Sequence, residues 1–565
     1  MIDNIDGARN MIASDPILTE VVRNKLDSIA NEMQIKLIRS SFSPLVKEGF
    51  DAAASLFTVG GELLAQGMSI PGFSAVLIPI VSRVFEAFPI AESNEGDVFI
   101  MNDPYLGGTH MPDIAMIMPV FVEGRPVAVA CAISHHQDVG GSVIGSMPTN
   151  ATDIFQEGLR IPPVRLRSAG VINQTAMDII RQNVRFPETL EGDLNAQYAA
   201  CLIGADRLRA LAARFGDDAL MEFFEAILDR SEAMTQAALR RLAQGRYSYT
   251  EELDNDGIDL DRRVPVSVTV EIGEGNAHIT FDGTSPQVAG PINCVPSTTQ
   301  AAVYYAMRAV TDPSIPTNGG CFRPITVDFP ERSLVNPQVP APVNARTATA
   351  KRVALAMLGA LRKARPGRVG ADGAGYLLLM ILGGVEADGR GFLIGTLTSG
   401  GSGAFPRSDG VDVIDTETTN CMNIPVEAFE MEAPIRIKRL ELRSDSGGPG
   451  QWRGGLGLIG EYQVLEGEVT FTHRGERHFN PAQGTEGGLH GACARTVIKR
   501  IDGREEIVQS KAVVKLRKGD EVEFATAGGG GYGLPLERDP NLVARDVSDG
   551  KVSPTVAREV YKCPY

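Results

Sequence analysis

Three of the chain's seven histidines fall in one short span. His110 lies in Asn102-Asp103-Pro104-Tyr105-Leu106-Gly107-Gly108-Thr109-His110-Met111-Pro112-Asp113, and His135 and His136 in Ser134-His135-His136-Gln137-Asp138-Val139-Gly140-Gly141. Imidazole with carboxylate suits Zn2+, Mn2+ or Fe2+, whereas calcium takes oxygen ligands only. The segment joining the two motifs reads as a hairpin, with apolar runs Ile114–Phe121 and Val127–Ser134 on either side of Val122-Glu123-Gly124-Arg125-Pro126. With the turn centred on Gly124, Asp113 and His135 are equidistant from it and face each other, and opposed residues have Cβ atoms about 5 Å apart. His110 precedes Asp113 by one short turn that the glycine pair and Pro112 can close. Three protein ligands and one open position make a catalytic metal site. The alternative is a hairpin capped by ordinary hydrogen bonds, and a bulge at Pro119 would exchange His135 for His136.

The elements that must hold these residues are a mixture of helices and antiparallel strands. Asp15 is an N-cap with Pro16 at the first helical position, and Val21, Val22, Leu26, Ile29, Met33 and Leu37 recur at helical spacing up to Ser40. Lys47 to Gln66, with Gly60-Gly61, forms a hairpin-like unit. Helical spacing returns over 176–182, 194–214 and 219–241, and Tyr247-Ser248-Tyr249 opens a change to strands at 264–272 and 278–282. Helices are expected over 297–310 and 351–362. Beyond Leu440 glycines become dense and strands short, at 458–465, 469–472, 496–499, 513–516 and 521–524. The expected fold class is α+β and multi-domain: a mixed α/β metal-binding region with a helical segment over 1–245, a central α/β region over 246–440, and a Gly-rich β domain over 441–565.

Composition bounds the function. A 565-residue chain with 43% hydrophobic and 22% charged residues is neither disordered nor membranous, and its length suits roughly two to four structural units. No run approaches the roughly 20 apolar residues of a membrane span, and Met1-Ile2-Asp3-Asn4-Ile5-Asp6 lacks the basic and apolar parts of an export leader; the expected compartment is the cytoplasm. A net charge of −16 argues against nucleic acid or an anionic membrane as partner. The seven cysteines are scattered without Cys-x-x-Cys, which reads as reduced thiols.

Other motifs carry less. Gly455-Leu456-Gly457-Leu458-Ile459-Gly460 has dinucleotide-loop spacing but follows Arg453-Gly454 rather than a strand. Gly528 to Gly533 is followed by no Lys-Ser/Thr, and no phosphate-loop motif occurs, so no ATP site is visible. His473-Arg474-Gly475-Glu476-Arg477-His478 is conspicuously basic; as a strand it would put His473 and Arg477 on one face and Arg474, Glu476 and His478 on the other. Either face suits a phosphoryl group or a substrate carboxylate, and internal salt bridges are the alternative. His278 and His490 read as structural.

The two histidine motifs, with Gln156-Glu157-Gly158, Asn183-Val184-Arg185, Gly192-Asp193-Leu194-Asn195-Ala196-Gln197, Gly283-Thr284-Ser285-Pro286, Asp445-Ser446-Gly447-Gly448 and Gly528 to Gly533, resemble the hydantoinase B/oxoprolinase family over nearly the whole chain. Within it the chain looks most like the second (B, beta) subunit of ATP-dependent lactam hydrolases of the caprolactamase type. The resemblance implies a metal on His110, Asp113 and His135 together with an acidic residue near the N-terminus, where the family has Glu-x-x-Asp; Asp51 is the first choice and Glu48 the second. It also implies a companion hydantoinase A/oxoprolinase-type subunit, in a heterodimer or α2β2 assembly, which uses ATP and Mg2+ to phosphorylate a cyclic amide of lactam, hydantoin or 5-oxoproline type. This chain, with Zn2+ first and Mn2+ or Fe2+ as alternatives, would then open the ring with metal-activated water. Asp51, His136 and Asp138 are the candidate catalytic or supporting residues, and Gly140 and Gly141 would bring backbone N–H groups to the substrate. The rival reading is a component of an ATP-dependent ketone carboxylase.

Overall fold

A computed structural model of the chain describes residues 15–386 and 389–564; the reading of the first six residues lies outside them. The first helix, Pro16–Ser40, starts as its sequence dictates, with Asp15 accepting from the N–H groups of Ile17 and Leu18 and Pro16 at the first position. Its buried stripe, Val22, Leu26, Ile29, Met33 and Leu37, faces a seven-stranded sheet.

That sheet has the order β2-β1-β5-β4-β3-β6-β7, from β1 (Ala52–Phe57), β2 (Leu63–Gln66), β3 (Val98–Met101), β4 (Asp113–Val122), β5 (Arg125–His135), β6 (Val164–Ser168) and β7 (Val171–Ile172). β4 and β5 are long apolar runs because both faces of the sheet are covered. Their turn is a two-residue one at Glu123 and Gly124, both at positive φ, as the twist of a tight hairpin requires. The ladder slips by one residue between Val120 and Phe121, and beyond the slip Val120 to Asp113 pair with Ala128 to His135. The slip restores the register of a turn centred on Gly124, so Asp113 lies opposite His135 and Pro119 causes no exchange with His136.

Helices Pro16–Ser40 and Pro187–Phe215 cover one face of the sheet. Gly204 permits that contact, since a Cβ there would stand 2.5 Å from Met33 Sδ and 3.2 Å from Ala130 Cβ. On the other face lies helix Pro71–Ala87; helix Pro296–Val310 packs on it and on helix Arg346–Ala364, which covers a second sheet of order β11-β10-β9-β8, from β8 (Gly245–Leu253), β9 (Val264–Gly273), β10 (Asn276–Thr280) and β11 (Ile325–Asp328). Helix Pro71–Ala87 has no counterpart in the sequence reading, because Pro71 and the interior Pro79 read as punctuation.

The remaining strands form two sheets around one apolar core. One has the order β13-β12-β16-β19, from β12 (Leu377–Val385), β13 (Gly391–Ser399), β16 (Glu468–Arg474) and β19 (Lys511–Arg517). The other has the order β14-β15-β20-β17-β18, from β14 (Ile435–Leu442), β15 (Leu458–Val464), β17 (Arg495–Lys499), β18 (Glu505–Val508) and β20 (Glu521–Ala525). β16 ends at Arg474 and Arg477 sits at positive φ, so the alternation expected over His473 to His478 stops after two residues. The Gly-rich segments pack backbone on backbone: a Cβ at Gly528 would stand 1.8 Å from Ser446 O, and one at Gly454 2.0 Å from Gly529 O. Among the described residues no helix is long and apolar enough to cross a membrane.

Candidate metal centre

The ends of three neighbouring strands bring the chemistry together. Asp113 opens β4, His135 closes β5, and Asp51 stands just before β1, its carbonyl accepting from the His135 N–H at 3.0 Å. The three residues therefore form one row across the sheet. His110 arrives from the loop before β4, where Gly107 has φ of 108° and Gly108 packs directly on the backbone of Asn102 and Asp103. The Asn102 side chain holds this loop, donating to the carbonyls of Met111 (2.6 Å) and Leu159 (2.9 Å) and accepting from Ile161 N–H (2.6 Å).

Three ligand-type atoms converge. His110 Nε2 is 3.1 Å from His135 Nδ1 and 3.1 Å from Asp113 Oδ1, and the last two are 3.2 Å apart. Two metal–ligand bonds of about 2.0–2.1 Å, meeting between square and tetrahedral angles, span about 2.9–3.3 Å. Among the described residues this is the one group of three or more His, Cys, Asp or Glu side chains so placed. Protonation makes the case stronger. Burial, and after it the Arg346 charge, push His110 down to about 3, so the ring is neutral and carries one proton. Its Nδ1 faces the Asn344 carbonyl at 3.2 Å, an acceptor that requires the proton there. Nε2 is then a bare lone pair aimed at a carboxylate oxygen and at a second imidazole, an arrangement that a cation between them satisfies.

Asp113 is held ionised. Burial opposes its charge, but the Arg346 guanidinium, which reaches Oδ2 at 2.5 Å, helps keep its carboxyl well below the usual range, and the Thr109 hydroxyl donates to the same oxygen. Asp51 Oδ2 lies 3.9 Å from His135 Nδ1, and burial raises that carboxyl to about 6. These groups line a partly open cleft of about 70 Å3, with Leu45, Phe73, Met147, Leu377, Leu379 and Leu397 as apolar wall and Arg346 and Arg474 as further charges.

The hydantoinase B/oxoprolinase family model matches residues 15–535. The chain belongs to that family. The beta chain of the caprolactamase of Pseudomonas jessenii is 32% identical over 558 residues, 97% of this chain and 96% of the relative. The crystal structure of the ATP-dependent caprolactamase from that organism superposes with a TM-score of 0.91 at 32% identity, over 97% of this chain and 96% of that one. The B component of a putative D-/L-hydantoinase from Pseudomonas sp. strain NS671 is 32% identical over 561 residues, 95% of this chain and 93% of the relative. Nucleotide-free acetone carboxylase, at 20% identity and a TM-score of 0.89 over 97% of this chain and 79% of that one, shares the fold.

In this hydantoinase B/oxoprolinase chain the structure sorts the other candidates. Asp51, and not Glu48, lines the cleft. His136 and Asp138 do not. Strand alternation turns His136 to the opposite side of the sheet, where its Nε2 faces Gln197 Oε1 at 3.1 Å. Asp138 accepts from the N–H groups of Gly140, Gly145 and Arg185 and from Arg185 Nη1, a loop-closing set that occupies both oxygens. Gly140 and Gly141, both at positive φ, pack against the carbonyls of Asn183 and Gln156 rather than opening on the cleft. Of the basic group, Glu476 pairs with Lys511 and Arg477 with Glu251, while Arg474 alone reaches the cleft. His278 binds Asp328 at the surface. Arg346 and Asn344 had no local signal: they lie more than 230 residues beyond His110 and Asp113, and Arg346 meets Asp113 with the side chain that opens its helix.

Proposed function

We propose that this chain is the metal-holding, ring-opening component of an ATP-dependent cyclic amide hydrolase, acting on a substrate that a companion hydantoinase A/oxoprolinase-type chain has phosphorylated. The observation that carries this reading is the triangle of His110 Nε2, His135 Nδ1 and Asp113 Oδ1, three ligand-type atoms at the mutual distances that one bound cation would set. A divalent metal there, Zn2+ in the first place, supplies Lewis acidity and a water whose pKa falls towards ~7. The chain's own residues do the rest. Arg346 helps keep Asp113 ionised, and burial together with the Arg346 charge keeps His110 neutral, so these two ligands are ready without loss of a proton. Asp51, close to the triangle and with its carboxyl raised towards neutrality, can take a proton from the water that attacks the O-phosphorylated carbon and return it to the ring nitrogen as the C–N bond breaks, and a second water then cleaves the resulting acyl phosphate to carboxylate and inorganic phosphate. The apolar wall of the cleft suits ring methylenes and excludes bulk water. The absence of a phosphate-cradling motif in the sequence, and relatives whose names make them the B or beta member of a multi-chain enzyme, support an ATP site on another chain.

The test separates the two chemistries. Asp113→Ala protein, mixed with its companion chain, ATP and a panel of lactams and hydantoins, should release ADP without ring-opened product, and should hold less metal by elemental analysis. Full product formation, or wild-type metal content in Asp113→Ala and His110→Ala alike, overturns the reading. Carboxylated product from bicarbonate and a ketone, with no ring opening, would move the chain to carboxylase chemistry.

A further inference from the structure

Eight lysines and arginines are buried among the described residues. Seven have a carboxylate within 4.0 Å: Arg346, Lys351, Arg352, Arg453, Arg477, Lys511 and Arg538. The eighth is Arg474. It is 6% exposed, appears in no ion pair among the described residues, and makes a single hydrogen bond there, from Nη1 to the carbonyl oxygen of Asn344 at 3.2 Å. A guanidinium removed from water without a carboxylate in direct contact is unfavourable: burial, followed by Arg346, lowers its pKa to about 9 against the more distant opposing charges of Glu157 and Asp51. The side chain lines the cleft, and among the described residues the rest of its planar donor fork has no hydrogen-bond partner. Its position is equally specific. The carbonyl of Asn344 that it contacts is the one that fixes His110 Nδ1, so the guanidinium stands one carbonyl oxygen away from the metal triangle, and opposite Leu379 of the apolar wall.

We propose that Arg474 is the anion anchor of this cleft and receives the phosphoryl dianion of a phosphorylated ring amide, whose apolar body lies against Leu45, Leu377, Leu379 and Leu397. The identity of the anion rests on the hydrolase reading above: a neutral ring amide brings no charge to Arg474, and a counter-charge in direct contact with it arrives with the phosphoryl group. The cleft therefore holds the phosphorylated ring in preference to the unphosphorylated one, because an arginine fork pairs with two phosphoryl oxygens at once. This gives the two-chain reaction a direction, since the activated ring binds where it is opened and the free ring does not compete.

Calorimetry on the full, metal-loaded chain tests this with hexylphosphonate, hexanoate and 1-hexanol as probes. Hexylphosphonate should bind most tightly and hexanol least. Arg474→Gln should weaken hexylphosphonate at least tenfold and Arg474→Lys by less, with metal content unchanged in both. Arg474→Gln should also melt no lower than wild type, because it removes a buried charge that burial and Arg346 disfavour and that no carboxylate contacts, whereas a merely structural arginine would leave a less stable protein. Unaltered phosphonate binding in the glutamine variant, or no phosphonate binding by the wild type, overturns the anchor; hexanoate binding as tightly as the phosphonate overturns its assignment to a phosphoryl group. The two readings fail separately. A chain that holds no metal yet binds phosphonate through Arg474 loses the ring-opening role and keeps the anchor, while a metal-bearing chain indifferent to Arg474 does the reverse.

Discussion

Replacing Gly108 by alanine should uncouple His110 from the metal site while leaving the fold intact. A Cβ at that position would stand 2.6 Å from Asn102 O and 2.8 Å from Asp103 O, whereas a carbon rests about 3.3–3.6 Å from a carbonyl oxygen. The backbone must therefore move by several tenths of an ångström. The Asn102 side cannot yield, because its amide is tied to Met111, Leu159 and Ile161, and the Gly108 carbonyl is itself held by the Ser297 hydroxyl at 2.6 Å. The displacement passes to Thr109 and His110. Ligand positions tolerate about 0.2 Å around their ideal metal distances, and disturbing the groups that orient ligands costs about 10–100-fold in metal affinity, or about 1.4–2.7 kcal/mol. Gly124→Ala, at the far end of the same hairpin, is the control: φ is +80° but no atom lies within 4 Å of the added Cβ, so it should cost about 1 kcal/mol of stability and nothing in metal affinity. Competition with a chelator of known affinity, followed for both variants beside their melting curves, gives the comparison. Equal metal affinity in Gly108→Ala and wild type would refute the argument, and so would a Gly124→Ala protein that lost metal to the same degree.

Further outcomes follow from the same geometry. The isolated chain should show no micromolar binding of Mg-ATP by calorimetry, since its sequence holds no phosphate-cradling motif; a micromolar dissociation constant would reveal a nucleotide site of another kind. His473 is buried, and burial first of all pushes its imidazole down to about 3. Its contribution to stability is therefore complete above the unfolded value near 6.5 and falls by about 1.4 kcal/mol per pH unit below it, where the unfolded chain takes up the proton first. Urea unfolding of His473→Gln at pH 7, 6 and 5 should show a pH slope smaller by one proton than wild type, and an unchanged slope would mean that the ring is protonated in the folded protein. Asp113→Ala should also melt lower than wild type without metal, by about 3–5 kcal/mol, because Arg346 is left buried without its partner; if chelated Asp113→Ala is as stable as chelated wild type, the pair carries no such weight.

What could be read from the chain depended on how far apart the cooperating residues lie. The hairpin that faces Asp113 with His135 declares itself by two apolar runs about a Glu-Gly turn, and a one-residue error in the turn was cancelled by the slip at Val120. Helix Pro16–Ser40 was legible through its cap and spacing. Asp51 was reached through the resemblance alone, because a lone aspartate before a short strand has no local signature and its meaning comes from the long-range pairing of β1 with β5. Arg346 and Arg474 illustrate the same limit more sharply. Both sit far along the chain from the histidines, one opening a helix and the other closing a strand, and only the stacking of three layers brings them to the cleft.

The division between His135 and His136 shows what strand geometry adds to composition. The two are adjacent and chemically identical, so residue type cannot choose between them, and alternation across the sheet does. The residue that shares a face with Asp113 and Asp51 joins the triangle, while its neighbour turns to Gln197. The same parity explains why Asp138 leaves the site: after β5 ends, the chain turns through Gly140 and Gly141, and Asp138 is spent closing that turn against Arg185. A row of ligands at the ends of adjacent strands needs such a turn immediately beyond it, because the strand must stop for the cleft to open. The carboxylate that stabilises the turn therefore acts by where the backbone goes rather than by contact with the His110, Asp113 and His135 group.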